Sequence, residues 1–279
     1  MTYCVDLHSH TDFSDGRLTP EELLLLAARQ GVDILALTDH DTTEGIPRAQ
    51  IAAAKYGVHL IPGVEISCQW RGQVIHLLGF NIDIYNSILQ QGLLKIRNFR
   101  YLRAQAIAEK LNNYLKVKDM LKEVVAHAKN KENIARPHFA QVLVDRGHAR
   151  HMQEAFKKYL LPGKPGFVAL DAIPLEEAVT WIIQAGGIAC IAHPLRYSFK
   201  LKRLTEMVEE FKRLGGQAIE VVAGTSKLDE ITKMAELAQK LGLYASIGSD
   251  YHGMGLSWCA MGRTLPLPKE CRSITELWS

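Results

Sequence analysis

Strand-like apolar segments alternate with helical segments along the first third of the sequence. A buried-strand pattern over residues 33–37 is followed by a helical pattern over 44–56 and by strand patterns over 58–61 and 64–67. A strand that returns parallel to its neighbour needs a long crossover connection, and a helix usually supplies it. This order of elements therefore predicts parallel strands and an α/β fold.

Local signals place the first elements. Residues 3–7 predict the first strand, which leads into a polar loop. Thr19-Pro20-Glu21-Glu22 has the residues of a capping box, with Pro at the first helical position. We expect a helix over 20–30 that ends at Gly31.

The pattern changes between residues 86 and 171, where near-continuous helix replaces the alternation. The helical patterns cover 93–115, 117–130 and 138–146. Alternation then resumes, with helices over 175–185, 201–214 and 229–241 and strands over 188–192, 218–222 and 244–248. With a hairpin over 65–80, about seven strands are expected, which predicts a distorted (β/α)7 barrel. We assign residues 1–85 and 172–279 to the barrel and 86–171 to a mostly helical insertion subdomain.

The charge balance argues against a protein that grips long duplex nucleic acid. Its 33 basic and 30 acidic residues give a net charge of +3, without the basic excess that many phosphate contacts require. A small anionic substrate or a short strand fits this balance. The N-terminal residues lack a basic segment followed by an apolar run, and no stretch approaches ~18 consecutive apolar residues. We therefore expect a cytoplasmic protein that does not bind membranes.

The cysteines predict neither disulfides nor a zinc-thiolate site. Cys4, Cys68, Cys190, Cys259 and Cys271 are odd in number, and no two of them have CxxC spacing. We expect each to be a small buried hydrophobe or an inert thiol.

Two histidines directly follow the first strand, as His8-Ser9-His10, with Asp15 five residues further along. Alternate residues of an extended segment point to the same side, so both imidazoles can face one cation. The spacing and the residue types together predict a metal site.

Further histidines and carboxylates lie on other strands or directly after them. They are Asp39, His40, Glu65, His76, His193, Asp250 and His252. Because the carboxyl ends of barrel strands meet at one face, we expect these side chains to converge on one pocket. So many donors exceed the needs of one cation, and a mixed nitrogen and oxygen set suits Zn²⁺, Mn²⁺ or Fe²⁺.

Five motifs together resemble the polymerase and histidinol phosphatase (PHP) family. They are His8-Ser9-His10, Thr38-Asp39-His40-Asp41, Gly63-Val64-Glu65, Ile191-Ala192-His193-Pro194 and Ser249-Asp250-Tyr251-His252. Within the family, residues 10–16, 136–139, 163–165 and 193–197 resemble the branch that contains RNase AM and the 3′,5′-nucleotide bisphosphate phosphatases. That branch also has a helical insertion, so the resemblance implies a PHP-type barrel.

The resemblance also implies a trinuclear site. One metal would be held by His8, His10, Glu65 and Asp250. Glu65 would bridge to a second metal held by His76 and His193, and a third would be held by Asp15, His40 and His252. We therefore expect two or three divalent ions, Mn²⁺ foremost, with Zn²⁺ or Fe²⁺ as alternatives. The residues expected to be catalytic are Asp15, His40, Glu65 and His193.

The implied reaction is attack of a metal-bridging hydroxide on phosphorus, since metal binding lowers the pKa of water to about 7. The implied substrates are short 5′-phosphorylated RNA or DNA, cleaved by a 5′-to-3′ exonuclease that releases mononucleotides, and 3′,5′-bisphosphonucleotides, which lose their 3′-phosphate. Candidates for binding substrate phosphate are Arg136, His138, Lys164 and Arg196. Asp39 and Asp41 are expected to orient a ligand or cap a helix rather than act as bases.

Two other functions stay open. One is a small-metabolite phosphatase, such as a histidinol phosphatase, which would use the same metal chemistry. The other is a non-catalytic metal-binding PHP domain, against which the complete ligand set argues. No obligate protein partner is expected for any of these.

Overall fold

The structure is a computed structural model that describes residues 3–128, 131, 133–169, 171–256 and 259–278. The strands are β1 (Val5–Asp6), β2 (Ile34–Leu37), β3 (His59–Trp70), β4 (Gln73–Phe80), β5 (Ile173–Pro174), β6 (Ile188–Ile191), β7 (Ala218–Ala223) and β8 (Tyr244–Gly248). The α-helices are α1 (Pro20–Gln30), α2 (Ile46–Tyr56), α3 (Ser87–Leu115), α4 (Met120–His127), α5 (Arg136–Asp145), α6 (Met152–Ala155), α7 (Leu175–Gln184), α8 (Leu201–Arg213) and α9 (Leu228–Leu241). A π-helical turn spans Phe156–Leu160, and 3₁₀ turns span Pro194–Arg196 and Ile274–Leu277.

The strands form one nearly closed sheet in the order β1-β2-β3-β4-β6-β7-β8, with β5 paired to β3. Only β4 runs antiparallel to its neighbours β3 and β6; the other pairs in this order are parallel. The N–H of Leu7 donates to the carbonyl of Ile247 at 2.9 Å, which brings the chain after β1 back to β8. The predicted distorted α/β barrel is confirmed, and the β3–β4 hairpin is the main source of its distortion.

Helix α1 begins and ends where the sequence predicts. The Thr19 hydroxyl accepts a hydrogen bond from the N–H of Glu22 at 3.2 Å, and the Glu22 carboxylate accepts one from the N–H of Thr19 at 2.8 Å. Gly31 ends the helix with φ 75°, a left-handed conformation that glycine adopts without steric cost. The helix thereby fixes the chain between the loop after β1 and the start of β2.

Several elements differ from the sequence-based expectation. The strand expected from residues 58–61 and 64–67 is present as β3 and is longer than expected; glycine is needed at position 63, because a Cβ there would lie 2.9 Å from the carbonyl oxygen of Gly79. Helix α3 begins at Ser87, earlier than expected. The Asn86 side chain caps it by accepting hydrogen bonds from the N–H groups of Ile88 and Leu89, which have no partner within the helix. Helix α4 is shorter than expected, and residues 129 and 130 of that prediction lie outside the described residues.

Two hydrophobic cores lie along α3. Leu89, Leu93 and Ile96 pack into the barrel core, whereas the later residues Ile107 and Leu111 belong to a second core formed within residues 104–160. The boundary of the insertion subdomain at residues 86 and 171 stays a prediction. Among the described residues, no helix combines the length and apolar character that a membrane span requires.

Candidate metal centre

The two histidines after β1 meet two carboxylates from distant strands. The Nε2 atoms of both His8 and His10 lie 3.2 Å from Oε2 of Glu65 and 3.2 Å from Oδ1 of Asp250. All four side chains are buried, and their ligand atoms lie within 4.8 Å of one another. This is the size of set that one divalent cation takes.

Glu65 on β3 lies at the centre of the cluster. Its two carboxylate oxygens lie 2.8–3.2 Å from ring nitrogens of five histidines, namely His8, His10, His40, His76 and His193. Its side chain is fully buried. Glu65 is common to two sets of side chains that could each hold a cation, one with His8, His10 and Asp250 and the other with His40 and His76.

A third group adjoins the first two. Oδ1 of Asp15 lies 3.2 Å from Nε2 of His252 and 3.8 Å from Nε2 of His40, and these side chains also form a compact set with His10. The structure therefore brings all nine side chains that the sequence predicts as ligands into one cluster.

Two of these side chains extend from left-handed backbone at strand ends. His193, after β6, has φ 28°, and Asp250, after β8, has φ 55°. Neither residue is glycine, so each conformation costs free energy that the surrounding structure must offset. Backbone of this kind turns each side chain sharply inward, towards Glu65.

The polar atoms of the cluster are better arranged to bind metal ions than to form hydrogen bonds with one another. Both ring nitrogens of His10, and Nδ1 of His40 and of His193, are buried without an aligned hydrogen bond, although carboxylate oxygens lie 3.1–3.2 Å from Nε2 of His10 and Nδ1 of His40. Buried polar groups are seldom left in this state, because the loss of hydration is costly. Cations between the nitrogens and oxygens would satisfy both, so the donor set fits divalent metal ions.

The pKa shifts differ among the histidines of the cluster. Burial lowers the pKa of His252 and His8, but adjoining carboxylates outweigh burial, raise the pKa of His252 to about 10 and raise that of His8, so these imidazoles release a proton when metal binds. Burial alone raises the pKa of the Glu65 carboxyl, but the adjoining His40 and His8 outweigh it and hold that pKa well below its usual range. Burial lowers the pKa of His40 to about 3. An ionised carboxylate and a neutral imidazole are the forms that coordinate cations.

A buried glutamate that the sequence analysis did not identify orients two of these histidines. Oε1 of Glu220, on β7, lies 3.1 Å from Nδ1 of His8, and Oε2 accepts a hydrogen bond from the N–H of His193 at 2.5 Å. Glu220 is 1% exposed. The available signal was an acidic residue inside the otherwise apolar strand segment 218–222.

We expect Glu220→Gln to weaken metal binding about 10- to 100-fold, the usual cost of altering a group that orients a metal ligand. The amide keeps the size of the side chain but removes its charge. Titration of the apoprotein with Mn²⁺ measures the change, and the exposed Glu209→Gln is a matched control. An unchanged Mn²⁺ affinity would show that Glu220 has no orienting role.

The two aspartates beside His40 hold the backbone around the site. The Asp39 carboxylate accepts hydrogen bonds from the N–H of Thr11 at 2.7 Å and the hydroxyl of Ser14 at 2.6 Å, which fixes the loop that carries Asp15. Asp41 accepts from the N–H of Ser67 at 2.7 Å and from Nε of Arg100 at 2.6 Å. These contacts suit supporting groups rather than bases.

The four predicted phosphate-binding residues lie in different surroundings. Arg136, in the first turn of α5, lines a cavity of about 440 Å³ beside the ligands His40 and His76. His138 lines a smaller hollow next to Asp15, and Nδ1 of its ring accepts from the N–H of Ala135 at 3.0 Å. The Arg196 guanidinium contacts the Asp250 carboxylate. Lys164 is exposed in a turn and is not among the residues that line the cavity of Arg136.

Two further arginines that the sequence analysis did not identify line that cavity; the available signal was the three-residue spacing of Arg97, Arg100 and Arg103 on α3. Arg100 and Arg103 extend into it from α3, and together with Arg136 they form what we term the cationic cavity. Burial, reinforced by the positive charges of Arg136 and Arg100, lowers the pKa of Arg103 to about 9. Three guanidinium groups therefore crowd one wall next to the metal ligands.

A buried cluster of histidines and carboxylates at the strand ends of an α/β barrel defines a metal-dependent hydrolase. The family model described as the PHP domain matches residues 6–160. The chain belongs to the PHP domain family, and it is a metal-dependent phosphoesterase.

Two curated relatives match almost the whole chain. The 3′,5′-nucleoside bisphosphate phosphatase of Chromobacterium violaceum is 42% identical over 270 residues, covering 97% of this chain and 94% of the relative. The 5′-3′ exoribonuclease Rnm of Escherichia coli is 40% identical over 275 residues, covering 98% of this chain and 93% of the relative.

Two solved structures share the fold. One from Chromobacterium violaceum, described as an amidohydrolase with bound sulfate and no metal, has a TM-score of 0.92 and 41% identity, covering 98% of this chain and 95% of that chain. One from Bifidobacterium adolescentis, described as a metal-dependent phosphoesterase, has a TM-score of 0.84 and 26% identity, covering 98% and 94%.

Proposed function

We propose that this protein releases 5′-mononucleotides one at a time from short 5′-phosphorylated RNA or DNA, and also removes the 3′-phosphate of 3′,5′-bisphosphonucleotides. The observation that carries this proposal is the cationic cavity beside the metal ligands. One phosphate of the substrate binds in this cavity while the next phosphate along lies at the metals.

Two of the three arginines of the cationic cavity have no carboxylate partner among the residues that the structure describes. Arg100 pairs with Asp41, but Arg103 donates only to the carbonyl of Val168, at 2.9 Å, and the Arg136 guanidinium lies 5.9 Å from the centre of the Phe156 ring. Within the described part of the chain, neither Arg103 nor Arg136 forms a salt bridge. A terminal phosphate dianion supplies the missing negative charge, and guanidinium groups bind it through paired hydrogen bonds.

Both substrates place their phosphates in the same way. Each carries a 5′-phosphate on the nucleoside whose 3′ oxygen bears the reacting phosphorus. A single pair of subsites, the cationic cavity and the metal centre, therefore serves both reactions. The names of the two relatives, a nucleoside bisphosphate phosphatase and an exoribonuclease, agree with this pairing.

The nine clustered side chains are the ligands in this proposal, for two or three divalent ions with Mn²⁺ foremost. When bound, these ions lower the pKa of water and neutralise charge on the phosphoryl oxygens. Glu65 stays ionised at neutral pH and holds the cluster together at its centre. Asp15, His40 and His193 line the reacting position, and Arg103 and Arg136 orient the substrate by its 5′-phosphate.

The test is a substrate panel in Mn²⁺. It consists of a 5′-phosphorylated oligoribonucleotide, its 5′-hydroxyl twin, 3′-phosphoadenosine 5′-phosphate and histidinol phosphate. We expect stepwise mononucleotide release from the first, much slower release from the second, and phosphate release from the third. Hydrolysis of histidinol phosphate alone would overturn the proposal in favour of a metabolite phosphatase, and no hydrolysis at all would indicate a non-catalytic domain.

Replacing Arg136 by alanine should raise KM for 5′-phosphorylated substrates about 10- to 100-fold, since a charge-assisted contact to phosphate contributes about 1.5–3 kcal/mol. The value of kcat should change less, because the contact between Arg136 and the phosphate is present both in the enzyme–substrate complex and in the transition state. Steady-state kinetics on the bisphosphonucleotide measures both values. Arg150→Ala, on an exposed surface, is the matched control, and an unchanged KM in Arg136→Ala would remove Arg136 from the substrate site.

A further inference from the structure

A second cavity adjoins the same metal ligands. It has a volume of about 370 Å³ and is lined by Met152, Phe156, Arg196, Leu256 and the ligands Asp250 and His252. We term it the downstream cavity. It shares Asp15, Pro137 and Phe156 with the cationic cavity, so the two meet at the metal centre.

The two cavities differ in chemistry. The cationic cavity has three arginines, whereas the downstream cavity has the apolar side chains of Met152 and Leu256 and one arginine, Arg196, that already contacts Asp250. Apolar and aromatic walls suit a base and a sugar better than a terminal phosphate. Beyond it, Met152 and Leu256 also line a hollow of about 200 Å³ that contains Arg17.

Only one of the two proposed reactions needs a second cavity of this kind. In both, water oxygen bonds to phosphorus and the bond from phosphorus to the 3′ oxygen breaks, and that oxygen leaves with a proton. In a bisphosphonucleotide the other oxygens of this phosphate are free. In an oligonucleotide, one of them carries the next nucleoside, which stays attached and must lie somewhere beside the metals.

We infer that the downstream cavity holds the nucleoside on the 3′ side of the reacting phosphate. It therefore determines whether the enzyme accepts a phosphodiester as well as a phosphomonoester. This inference rests on the proposed function and assigns Met152 and Leu256 as specificity-determining residues. Arg17 lines the adjoining hollow, where we expect it to contact the phosphate on the 3′ side of that nucleoside.

The test narrows the downstream cavity from two separate walls, with Met152→Trp in one variant and Leu256→Trp in the other. For each, kcat/KM is measured for a 5′-phosphorylated oligoribonucleotide and for 3′-phosphoadenosine 5′-phosphate. We expect the ratio of the first to the second to fall at least about ten-fold, the lower end of the cost of a misfitting group in a pocket. Leu228→Trp, at a site 73% exposed on α9, is the control and should keep the wild-type ratio.

The outcomes separate this inference from the proposed function. If the wild-type enzyme cleaves neither substrate, the proposed function fails and the inference fails with it. If the wild type cleaves both but both tryptophan variants keep the wild-type ratio, the inference alone is overturned. A fall in the ratio for both variants, with thermal unfolding temperatures near the wild-type value, supports it.

Discussion

Glu65→Gln will reduce kcat/KM at least about 10³-fold for every phosphate ester that the protein cleaves, equivalent to about 4 kcal/mol of transition-state stabilisation. The reason is the central position of Glu65, whose two oxygens lie within 3.2 Å of ring nitrogens from five histidines. An amide has one acceptor oxygen and presents an NH₂ group to the other side. Kinetics on the preferred substrate, together with the metal content of the purified protein, measure the effect.

The control for this variant is Glu220→Gln, which changes an acidic side chain of the same type that orients ligands instead of bridging them. We expect the Glu65 variant to bind fewer metal ions per chain even at high Mn²⁺, whereas Glu220→Gln regains full occupancy. Equal activity of Glu65→Gln and the wild type would show that this carboxylate is not a ligand.

Asp41→Asn will lower the free energy of unfolding by about 3–5 kcal/mol, the usual cost of leaving one partner of a buried ion pair unpaired. Asp41 is 0% exposed and Arg100 is 6% exposed, and Asp41 joins α3 to β3 through Arg100 and Ser67. Asparagine tolerates the left-handed backbone at this position, φ 53°, so the change reports the lost charge rather than backbone strain. Urea denaturation measures the difference.

Combining Asp41→Asn with Arg100→Met should restore part of that stability, because the unpaired buried charge is then absent. If the double variant is no more stable than Asp41→Asn alone, the loss has another cause. A loss below about 1 kcal/mol in the single variant would mean that water reaches the pair and screens it, as for exposed ion pairs.

Local signals in the sequence predict helix ends that are set by residues next to them in the chain. The capping box at Thr19 and the glycines at 31 and 57 set helix ends that the structure reproduces. Pro62 and Gly63 are typical of turns, yet β3 continues through both, and Gly63 lies where neighbouring atoms leave no room for a side chain. That crowding comes from Leu37 and Thr38 at the end of β2 and from Gly79 on β4, which the sequence next to Gly63 does not reveal.

Most of the metal cluster could be predicted because its ligands follow strands within short motifs, whereas Glu65 and His76 lie inside β3 and β4. The role of Glu220 could not be predicted: an acidic residue inside an apolar strand marks the position, but its partner His8 is 212 positions away in the sequence. Arg103 was missed although Arg97, Arg100 and Arg103 lie three residues apart on α3, because the sequence does not show what that helix face contacts. Its role depends on which helix face meets the barrel.

Because the first and last strands of the nearly closed sheet both contribute ligands, the metal centre can form only late in the synthesis of the chain. Metal-centre residues come from both ends of the barrel, with His8 and His10 beside β1 and Asp250 and His252 after β8, where Ser9 pairs with Tyr251. A growing chain on the ribosome therefore holds an incomplete set of ligands until its last strand has emerged.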